Sequence, residues 1–366
     1  MEIKQFTVKD LRQAIVENSL WQTRDIPITK DRAISQVNNP RAKDDDVILL
    51  VAYTGDEVAG YLGILPDEIN VGSETSRFGW TTTWWTNPNQ KDSKAGTILL
   101  LKAYDLYRPN FGSIEYSETA EKVLEASRRF NLGGFHGVKV YSRMDSDLLI
   151  RRFPSLEMFL PVIRILTSLV NVFTNVRLNI WKAVNPVPDR IRLEYLSEVD
   201  SQTAQFINQH QKNALSTKNA EVINWIMRYP WVVPAPLVTE QRHRYFFSQK
   251  AKRFSFMAVK VFDGWDRMVG FILLQVKDRQ LSAPYIFISP GYESDVMSVI
   301  YHHIVDLDIS MFYTFNQSIL ELLGKTRFPS IYRKDNIMCW SLTKALGEID
   351  LANYAVQDGD GDNAFT

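Results

Sequence analysis

The sequence predicts an α/β protein made of two similar units, each a mixed, mostly antiparallel sheet flanked by helices. Three observations predict this fold class. Short apolar runs of strand length alternate with segments of helical periodicity over residues 1–145. Residues 80–107 have the pattern of a Thr- and Trp-rich strand, a polar loop and a helix. The same order of elements returns, more weakly, after residues 186–188, and a chance likeness between two meanders is the alternative.

The elements of the first unit follow from local patterns. Apolar residues at helical spacing predict a helix over residues 10–18, and the polar residues 54–57 predict a hairpin turn. Ser117 is a typical N-cap and predicts the start of another helix. Gly133 and Gly134 are predicted to end that helix. The predicted strands cover residues 2–6, 47–53, 58–65, 75–86, 113–116 and 135–142, and the helix after the polar loop covers 93–107.

The elements of the second unit are predicted on the same grounds. Asp263 and Gly264 form a predicted turn between two strands, and Pro290 and Gly291 separate a third strand from a helix. The predicted strands cover residues 191–196, 254–262, 268–276, 281–289, 309–313 and 337–342, and the predicted helices cover 201–213, 221–228, 294–305 and 317–323.

The predicted domain organisation has two units, a connection and a tail. The units cover residues 1–145 and 189–350, and a helical connection covers 146–188. Residues 351–366 are predicted to be a flexible tail. The acidic run that begins at Asp358 resembles the start of a calcium loop, but it lacks the glycine and the glutamate that such a loop needs further on.

The composition excludes several classes of protein. The 366 residues contain 42 Lys and Arg and 42 Asp and Glu, so the net charge is zero, which argues against a general nucleic-acid partner. Cys339 is the only cysteine, so no intrachain disulfide and no Cys-rich metal site are expected. The N-terminal residues lack the apolar core of a signal peptide, and a cytoplasmic location is the expectation.

One apolar segment allows two interpretations. Residues 159–173 are strongly apolar but fall short of the roughly 20 apolar residues that a spanning helix needs, so no membrane span is predicted. We expect a helix buried between the two domains. The alternative is an interfacial membrane helix, for which the nearby cations are Arg164, Arg151 and Arg152.

The segment 80–107 is also a candidate anion site. A strand that runs through a turn into a helix can bind an anion, because the first amides of the helix have no partner inside it. Here the loop after Thr86 opens with Asn87 and Pro88, and the helix is predicted to begin near Ser93. The sequence therefore indicates a phosphate site at this helix start.

Four pieces of the first unit, in this order, resemble the GNAT superfamily of N-acetyltransferases, which use acyl-CoA. Residues 58–63 (VAGYLG) are similar to the family's VGYxG strand, and residues 84–88 (WWTNP) to its V-x-P strand end. Residues 95–100 (AGTILL) are similar to the end of its Arg/Gln-x-x-Gly-x-Gly/Ala loop and the helix that follows. Gly134 and Phe135 resemble its Gly-Phe ending. The resemblance covers residues 1–145, and the second half by layout alone.

The resemblance implies a reaction and a binding site. It implies transfer of an acyl group from acetyl-CoA or another acyl-CoA to a small-molecule or peptide amine in a ternary complex, without a metal. In that family the loop amides hold the CoA pyrophosphate, and the preceding strand pairs with the pantetheine arm. The residues implied are Lys91, Ser93, Lys94, Ala95, Gly96 and Thr97 at the pyrophosphate, and Trp85 and Thr86 along the arm.

The catalytic groups are less well defined by the sequence. A base must take a proton from the amine, and in the family a tyrosine often protonates the leaving thiolate. That tyrosine falls on Phe130, which has no proton to donate. Glu115, Tyr116 and Glu74 are the nearest candidates by layout.

The predicted phosphate loop departs from the family pattern. Aligned on Gly96, the family's Arg/Gln falls on Lys91 and its first glycine on Lys94, while Asp92 adds a repelling carboxylate. A non-catalytic binding or scaffold protein with the same fold is therefore the alternative function. The corresponding loop of the second unit, residues 289–295, has two acids and no basic residue and is not expected to bind CoA. An aminoacyl transferase that uses charged tRNA would need a basic channel, which the neutral charge does not support.

Overall fold

The chain folds as two units, each assembled from separate stretches of sequence. The computed structural model describes residues 1–22, 25–72, 74–90, 94–234, 245–247, 250–347 and 351–365. The first unit comprises Met1–Phe135, Glu198–Phe254 and Met338–Thr366, and the second comprises His136–Ser197 and Ser255–Ile337.

Helices and strands alternate along the chain, which confirms the predicted α/β class. The α-helices within the described residues are α1 (Val8–Glu17), α2 (Lys30–Val37), α3 (Ala95–Tyr107), α4 (Glu118–Ser127), α5 (Ser146–Arg152), α6 (Leu160–Val184), α7 (Ser201–Gln209), α8 (Ala220–Arg228), α9 (Glu293–Asp306) and α10 (Gln317–Lys325). The strands there are β1 (Glu2–Thr7), β2 (Val47–Thr54), β3 (Glu57–Val71), β4 (Glu74–Thr86), β5 (Phe111–Ile114), β6 (Phe130–Tyr141), β7 (Arg192–Leu196), β8 (Val233–Pro234), β9 (Lys250–Ala251), β10 (Phe254–Phe262), β11 (Met268–Lys277), β12 (Gln280–Ile288), β13 (Met311–Thr314) and β14 (Tyr332–Thr343).

The sheet of the first unit runs in the order β1-β2-β3-β4-β5-β14. Its first four strands are antiparallel, and β4 pairs with β5 in parallel. The β3–β4 hairpin continues to the pair Val71 and Glu74, so β3 is longer than its predicted end at residue 65. Side-chain caps fix where the helices begin: Thr7 caps α1 in a capping box, and Ser117 caps α4 as predicted.

The first unit buries apolar side chains on both faces of its sheet. On one face, Leu99 and Leu100 of α3 pack with Phe111 and Phe130. On the other face, α1 and α2 supply Leu11 and other residues to a cluster that includes Tyr61 and Trp85. Alternate residues of β4 point to opposite faces, so this strand contributes to both layers.

The second unit repeats the layout around its own core. Its strands run in the order β6-β13-β12-β11-β10-β7. Strand β11 pairs with β12 in an antiparallel hairpin, and β12 leads through α9 into β13, with which it pairs in parallel. The series β12-α9-β13 therefore matches the series β4-α3-β5 of the first unit. Residues from α6, α9 and α10, including Leu178, Ile300 and Ile319, fill the core.

Two glycines lie in a strand instead of ending a helix. Helix α4 ends at Ser127, with Arg128 in the left-handed conformation at φ 56°. Gly133 and Gly134 therefore fall inside β6. A Cβ at Gly133 would overlap the indole ring of Trp340, so this glycine makes room for a neighbouring aromatic side chain.

The units divide the chain differently from the predicted domains. Residues 198–254 belong to the first unit because they bond to its strands and helices: Asn70 donates from its backbone to Leu215, at 2.8 Å, and Trp225 Nε1 donates to the carbonyl of Ser35, at 2.7 Å. The predicted boundary near residue 145 also differs, because β6 runs unbroken from Phe130 to Tyr141 and crosses from one unit to the other.

The segment predicted to be a flexible tail is a packed part of the first unit. The backbone of Ala355 accepts from Leu215 at 3.0 Å and donates to Asn213 at 2.8 Å. Phe365 stacks on Trp231 with the ring centroids 3.9 Å apart. Residues 357–365 are buried, because aromatic rings and two cations of this unit surround them.

The apolar helix predicted to be buried is instead largely exposed. Residues 154–184 are long and apolar enough to cross a bilayer, and only 6% of the most apolar window is buried inside the protein. Leu178 and Thr167 are the buried residues of α6, while Leu169 and Phe173 point away from the protein. The reason is that its polar side faces the second unit, through Asn171 and other residues described below.

Candidate functional site

The strand-loop-helix predicted as an anion site forms the junction of β4 and α3. Strand β4 ends at Thr86 and α3 begins at Ala95. Lys94 precedes the helix in the left-handed conformation, at φ 51°, and no side chain of the described residues caps the helix start. The start of a helix in such a junction favours an anion. The predicted residues Lys91 and Ser93, like Asp92, lie outside the described residues.

Strand β4 separates from β5 just before this junction. Its pairing with β3 continues to Thr86, whereas its parallel pairing with β5 covers only Gly79, Trp80 and Thr81. The register with β3 also shifts by one residue, which leaves Thr82 without a partner in the β3–β4 ladder, as in a β-bulge. One side of β4 from Thr82 onward is thus open to pair with an extended ligand.

Close packing fixes the start of α3 against the end of β4. Trp84 Nε1 donates to the carbonyl oxygen of Gly96, at 3.1 Å. A Cβ on Gly96 would lie 2.8 Å from Thr86 Cγ2 and 3.3 Å from Trp84 Nε1. The structure therefore brings Thr86, Lys94, Ala95, Gly96 and Thr97 together at one end of the strand.

Trp85 points to the opposite face of the sheet. Its ring stacks on that of Tyr61, with centroids 5.2 Å apart, and Tyr61 also stacks on Tyr245. A cavity of about 580 Å³ lies beside Trp85 and the loop that opens at Asn87. Its wall includes three carboxylate side chains, Asp25, Asp56 and Glu57.

The candidate catalytic residues do not lie together. Glu74 is the first residue of β4, twelve residues before Thr86, which places it roughly 40 Å from the α3 start along the strand. Glu115 follows β5 and is two residues beyond Ser113, the partner of Thr81, so it lies where the two strands separate. It is exposed and has a positive φ of 53°.

Tyr116 is held in place by the strand beside it. Its hydroxyl donates to the backbone carbonyl of Trp340, at 3.1 Å. Partial burial raises the pKa of Tyr116 to about 12, so the hydroxyl keeps its proton at neutral pH. Phe130, at the position where the family has its proton-donating tyrosine, is 5% exposed in the core and packs against Phe111.

Sequence reasoning missed a cluster of buried charges in the first unit. Lys218 Nζ lies 2.7 Å from Asp67 and 3.8 Å from Asp360, and it donates to Ser216. Asp67 also accepts from Trp80 Nε1, at 3.2 Å. The acidic run that contains Asp360 is visible in the sequence, but its partner Lys218 is too distant along the chain for the pairing to be predicted.

A second buried pair links α2 with the same acidic run. Arg32 Nη2 lies 2.6 Å from a carboxylate oxygen of Asp362. Burial raises the pKa of Asp362 from its ordinary value of 3.8 to about 6, although Arg32 pulls it down. Burial also raises the pKa of Asp360 to about 6, against the opposing effect of Lys218.

The corresponding helix start in the second unit is occupied by the protein's own acids. Glu293 and Asp295 lie in the first turn of α9, and a carboxylate oxygen of Glu293 accepts from the backbone of Gly291, at 2.9 Å. Asp295 pairs with Arg190, at 2.8 Å. Two carboxylates at a helix start repel a phosphate, so the start of α9 does not favour an anion.

No cluster of metal-ligating side chains is present among the residues that the structure describes. His303 bonds through Nε2 to Tyr195 and through Nδ1 to the carbonyl of Val299, at 2.9 and 2.8 Å. His302 bonds to the carbonyl of Asn185. Both histidines therefore have structural partners.

Comparison with known proteins identifies the fold. No protein-family profile matches the chain, and no curated protein matches it by sequence. A probable N-acyltransferase from Enterococcus faecalis V583, described as a conserved protein of unknown function, matches with a TM-score of 0.53 and 8% identity over 94% of this chain and 73% of its own. A tandem GNAT protein from the clavulanic acid biosynthesis pathway matches with a TM-score of 0.50 and 11% identity, over 95% of this chain and 99% of its own.

The chain therefore has the fold of the GNAT N-acyltransferases in its tandem form, which confirms the predicted fold class and the resemblance. At these levels of identity the likeness shows the fold alone. The activity has to be argued from the site of this chain.

Proposed function

We propose that the protein is an acyl-CoA-dependent N-acyltransferase whose reaction takes place in the first unit. The observation that carries this proposal is the opening between β4 and β5 in front of the start of α3. An extended thioester arm can pair with the open side of β4 between Thr82 and Thr86. The pyrophosphate at the end of that arm would then reach the helix start, where amides and the positive end of the helix dipole favour an anion.

The residues of this opening fit a CoA thioester. Lys94 adopts the left-handed conformation that a glycine in the family's loop can adopt, so this position keeps a positive φ and adds a cation. Gly96 keeps α3 close to Thr86. Lys91 and Ser93 remain predicted pyrophosphate ligands, and Trp85 and Thr86 remain predicted neighbours of the pantetheine arm.

The acceptor in this proposal is an amine that arrives as a cation. Asp25, Asp56 and Glu57 around the cavity beside Trp85 attract a positive charge. Such an acceptor must lose a proton before its nitrogen attacks the thioester carbonyl. We assign the base to Glu115 and the acid to Tyr116, because both follow β5 where it leaves β4. Glu115 takes the first proton of the ammonium group, and the nitrogen then attacks. The new C–N bond replaces the C–S bond, Tyr116 gives its proton to the thiolate, and the second proton that leaves the nitrogen restores the hydroxyl of Tyr116.

A second candidate is a protein that binds CoA without transferring the acyl group. The observation in its favour is Phe130, which is buried in the core where the family has its proton-donating tyrosine. Such a protein would need the helix start and the open strand but neither Glu115 nor Tyr116.

Titration calorimetry with CoA and acetyl-CoA tests the binding site. We expect binding, and we expect Gly96→Val to weaken it at least tenfold, because the side chain would push α3 away from Thr86. Gly324→Val is the matched control, since a Cβ added at Gly324 would have no heavy atom within 4 Å. Absence of CoA binding by the unmodified chain at millimolar ligand would remove the basis of the proposal.

Turnover separates the enzyme from the binding protein. Release of the CoA thiol can be followed with a thiol reagent in the presence of amines of increasing size. We expect release that depends on an amine and that falls with Glu115→Gln. Tight CoA binding without thiol release for any amine would favour the second candidate.

A further inference from the structure

Helix α6 has its longest apolar face turned away from the protein. The side that faces the rest of the second unit is partly polar: Asn171 exchanges two hydrogen bonds with the backbone of Met144, both at 2.9 Å, and Asn175 accepts from Arg143, at 2.6 Å. In a helix on the surface of a protein in water, the apolar side faces inward. Here the asparagines share the inward side with Leu178, which is buried in the core.

The side that faces away from the protein is apolar along the whole helix. Its residues recur at helical spacing within an arc of about 80°, and each is between 55% and 77% exposed. Examples are Val162, Ile165, Leu169, Phe173, Val176 and Ile180. A helix of 25 residues is about 38 Å long. A continuous apolar surface of this length on a folded chain indicates that it is covered in use.

The charged residues of α6 are all positive, and Glu157 is the acid that precedes the helix. Residues 158–188 contain no Asp or Glu, while α6 itself carries Arg164, Arg177 and Lys182. Asp147 lies 3.7 Å from Arg164, and Asp306 pairs with Lys182.

Two cations remain for an external partner. Arg177 bonds to a backbone carbonyl, that of Ser330, and so keeps its full charge. Arg152, at the end of α5, is exposed and makes no ion pair with the residues that the structure describes. Arg177 lies on α6 itself and Arg152 at the end of α5, which packs against α6, and an anionic surface complements the charge of both.

A second copy of the chain fits this face less well than a lipid surface. In an antiparallel helix pair with full overlap of the apolar faces, Arg177 of each copy would lie against the α6 helix of the other copy, which contains no Asp or Glu to pair with it. A lipid surface offers anionic headgroups to Arg152 and Arg177 at the same time.

A membrane-spanning arrangement is also disfavoured. Leu178 is 0% exposed in the core of the second unit, and Asn171 and Asn175 hold α6 along its length. The helix could cross a bilayer only if these contacts broke or if the strands of the second unit also entered the lipid.

We propose that α6 lies in the plane of a membrane surface that contains anionic lipids, with its apolar face inserted among the acyl chains. Binding then comes from burial of apolar side chains, and the two arginines add attraction to anionic headgroups. The asparagines on the other side keep the second unit above the lipid. This use of α6 does not depend on the reaction proposed for the first unit.

Co-sedimentation of the full chain with lipid vesicles tests the proposal. The vesicles are phosphatidylcholine alone and an equal mixture of phosphatidylcholine and phosphatidylglycerol. We expect the chain to sediment with the mixed vesicles. The double variant Leu169→Gln/Phe173→Gln should bind at least tenfold more weakly, since both side chains point away from the protein and their replacement leaves the core intact. Val16→Gln is the matched control, because Val16 is also well exposed but lies on α1.

The arginines are tested with Arg152→Gln/Arg177→Gln. We expect this variant to lose on the order of tenfold or more in affinity for the mixed vesicles and to behave like the unmodified chain on phosphatidylcholine. Three outcomes would overturn the proposal. They are no sedimentation of the unmodified chain with mixed vesicles, unchanged binding by the Leu169 and Phe173 variant, or light scattering that shows a dimer which this variant dissociates while neither form binds vesicles.

Discussion

Arg32 and Asp362 form a buried ion pair that joins α2 to a segment 330 residues further along the chain. The two side chains are 4% and 8% exposed, and their nearest nitrogen and oxygen atoms are 2.6 Å apart. The Arg32 guanidinium also lies over the ring of Trp231, at 4.2 Å, and Phe365 stacks on the same ring. One cation and one indole therefore hold the end of the described chain in the first unit.

Asp362→Ala is expected to destabilise the protein by about 3–5 kcal/mol, because it leaves a buried guanidinium without its counter-charge. Urea unfolding measures the loss. Asp44→Ala is the matched control: Asp44 pairs with Arg12, but both are at least half exposed, and we expect a change of about 0–1 kcal/mol. Equal losses in the two variants would contradict the importance assigned to burial.

Asp360→Asn is expected to change how stability depends on pH. The pKa of Asp360 is about 6 in the folded chain and lies near 3.8 when the residue is exposed, so the folded state binds more protons between these values. Stability therefore falls as pH rises from about 4 to about 6. The variant should lose this fall in the free energy of unfolding, which is about 2–3 kcal/mol. Compared with the unmodified chain, it should therefore be relatively more stable at pH 8 than at pH 4. Thermal unfolding at several pH values measures it, and an unchanged profile would refute the assignment.

Gly133→Ala is expected to destabilise the first unit by about 1–3 kcal/mol, because the new methyl group overlaps the ring of Trp340. Gly324→Ala lies in open space within α10 and should raise stability by up to about 1 kcal/mol. Denaturant unfolding of both variants gives the comparison. Effects of the same sign would show that the ring moves aside at little cost.

Lys94→Gly is expected to stabilise the protein by about 0.5–1 kcal/mol, since Lys94 has a positive φ that glycine adopts without strain. The same change at Lys122, which is exposed in the middle of α4, should cost about 1 kcal/mol. Melting temperatures of the two variants should therefore move in opposite directions. A loss of stability at both positions would mean that the Lys94 side chain makes compensating contacts.

Tyr116→Phe is expected to lower kcat by about 10²–10⁴ while reducing stability by no more than about 1 kcal/mol, if Tyr116 is the acid of the proposed reaction. The hydroxyl donates to a backbone carbonyl, and its raised pKa of about 12 means that it keeps its proton at neutral pH. CoA affinity should be unchanged, which separates this variant from Gly96→Val. Unaltered turnover would assign the acid elsewhere.

Local patterns were enough to predict most of the elements and the class of fold. The β4–loop–α3 junction, the turn at Asp263 and Gly264 between β10 and β11, and the cap at Ser117 depend on neighbouring residues. Such features can be recognised in a sequence because the residues that form them lie within a few positions of one another.

The remaining features depend on partners that are far apart in the chain. The sequence predicted that Gly133 ends a helix. In the structure it lies in a strand, where a Cβ would overlap the ring of Trp340. The acidic run near residue 360 was predicted to be a flexible tail. Its charge partners, Arg32 and Lys218, are more than 140 residues away in the sequence and could not be recognised from the local pattern. The exposure of α6 could not be predicted either, since apolar composition alone does not say which face of a helix the protein covers.

The pairing of Arg32 with Asp362 also sets the timing of folding during synthesis. A chain leaves the ribosome with its amino end first. The first unit consists of three stretches, and the last of them begins at Met338. The early strands can pair while translation continues, but the ion pair of Arg32 cannot form until Asp362 has been synthesised. The first unit is therefore completed only after all residues of the second unit have emerged.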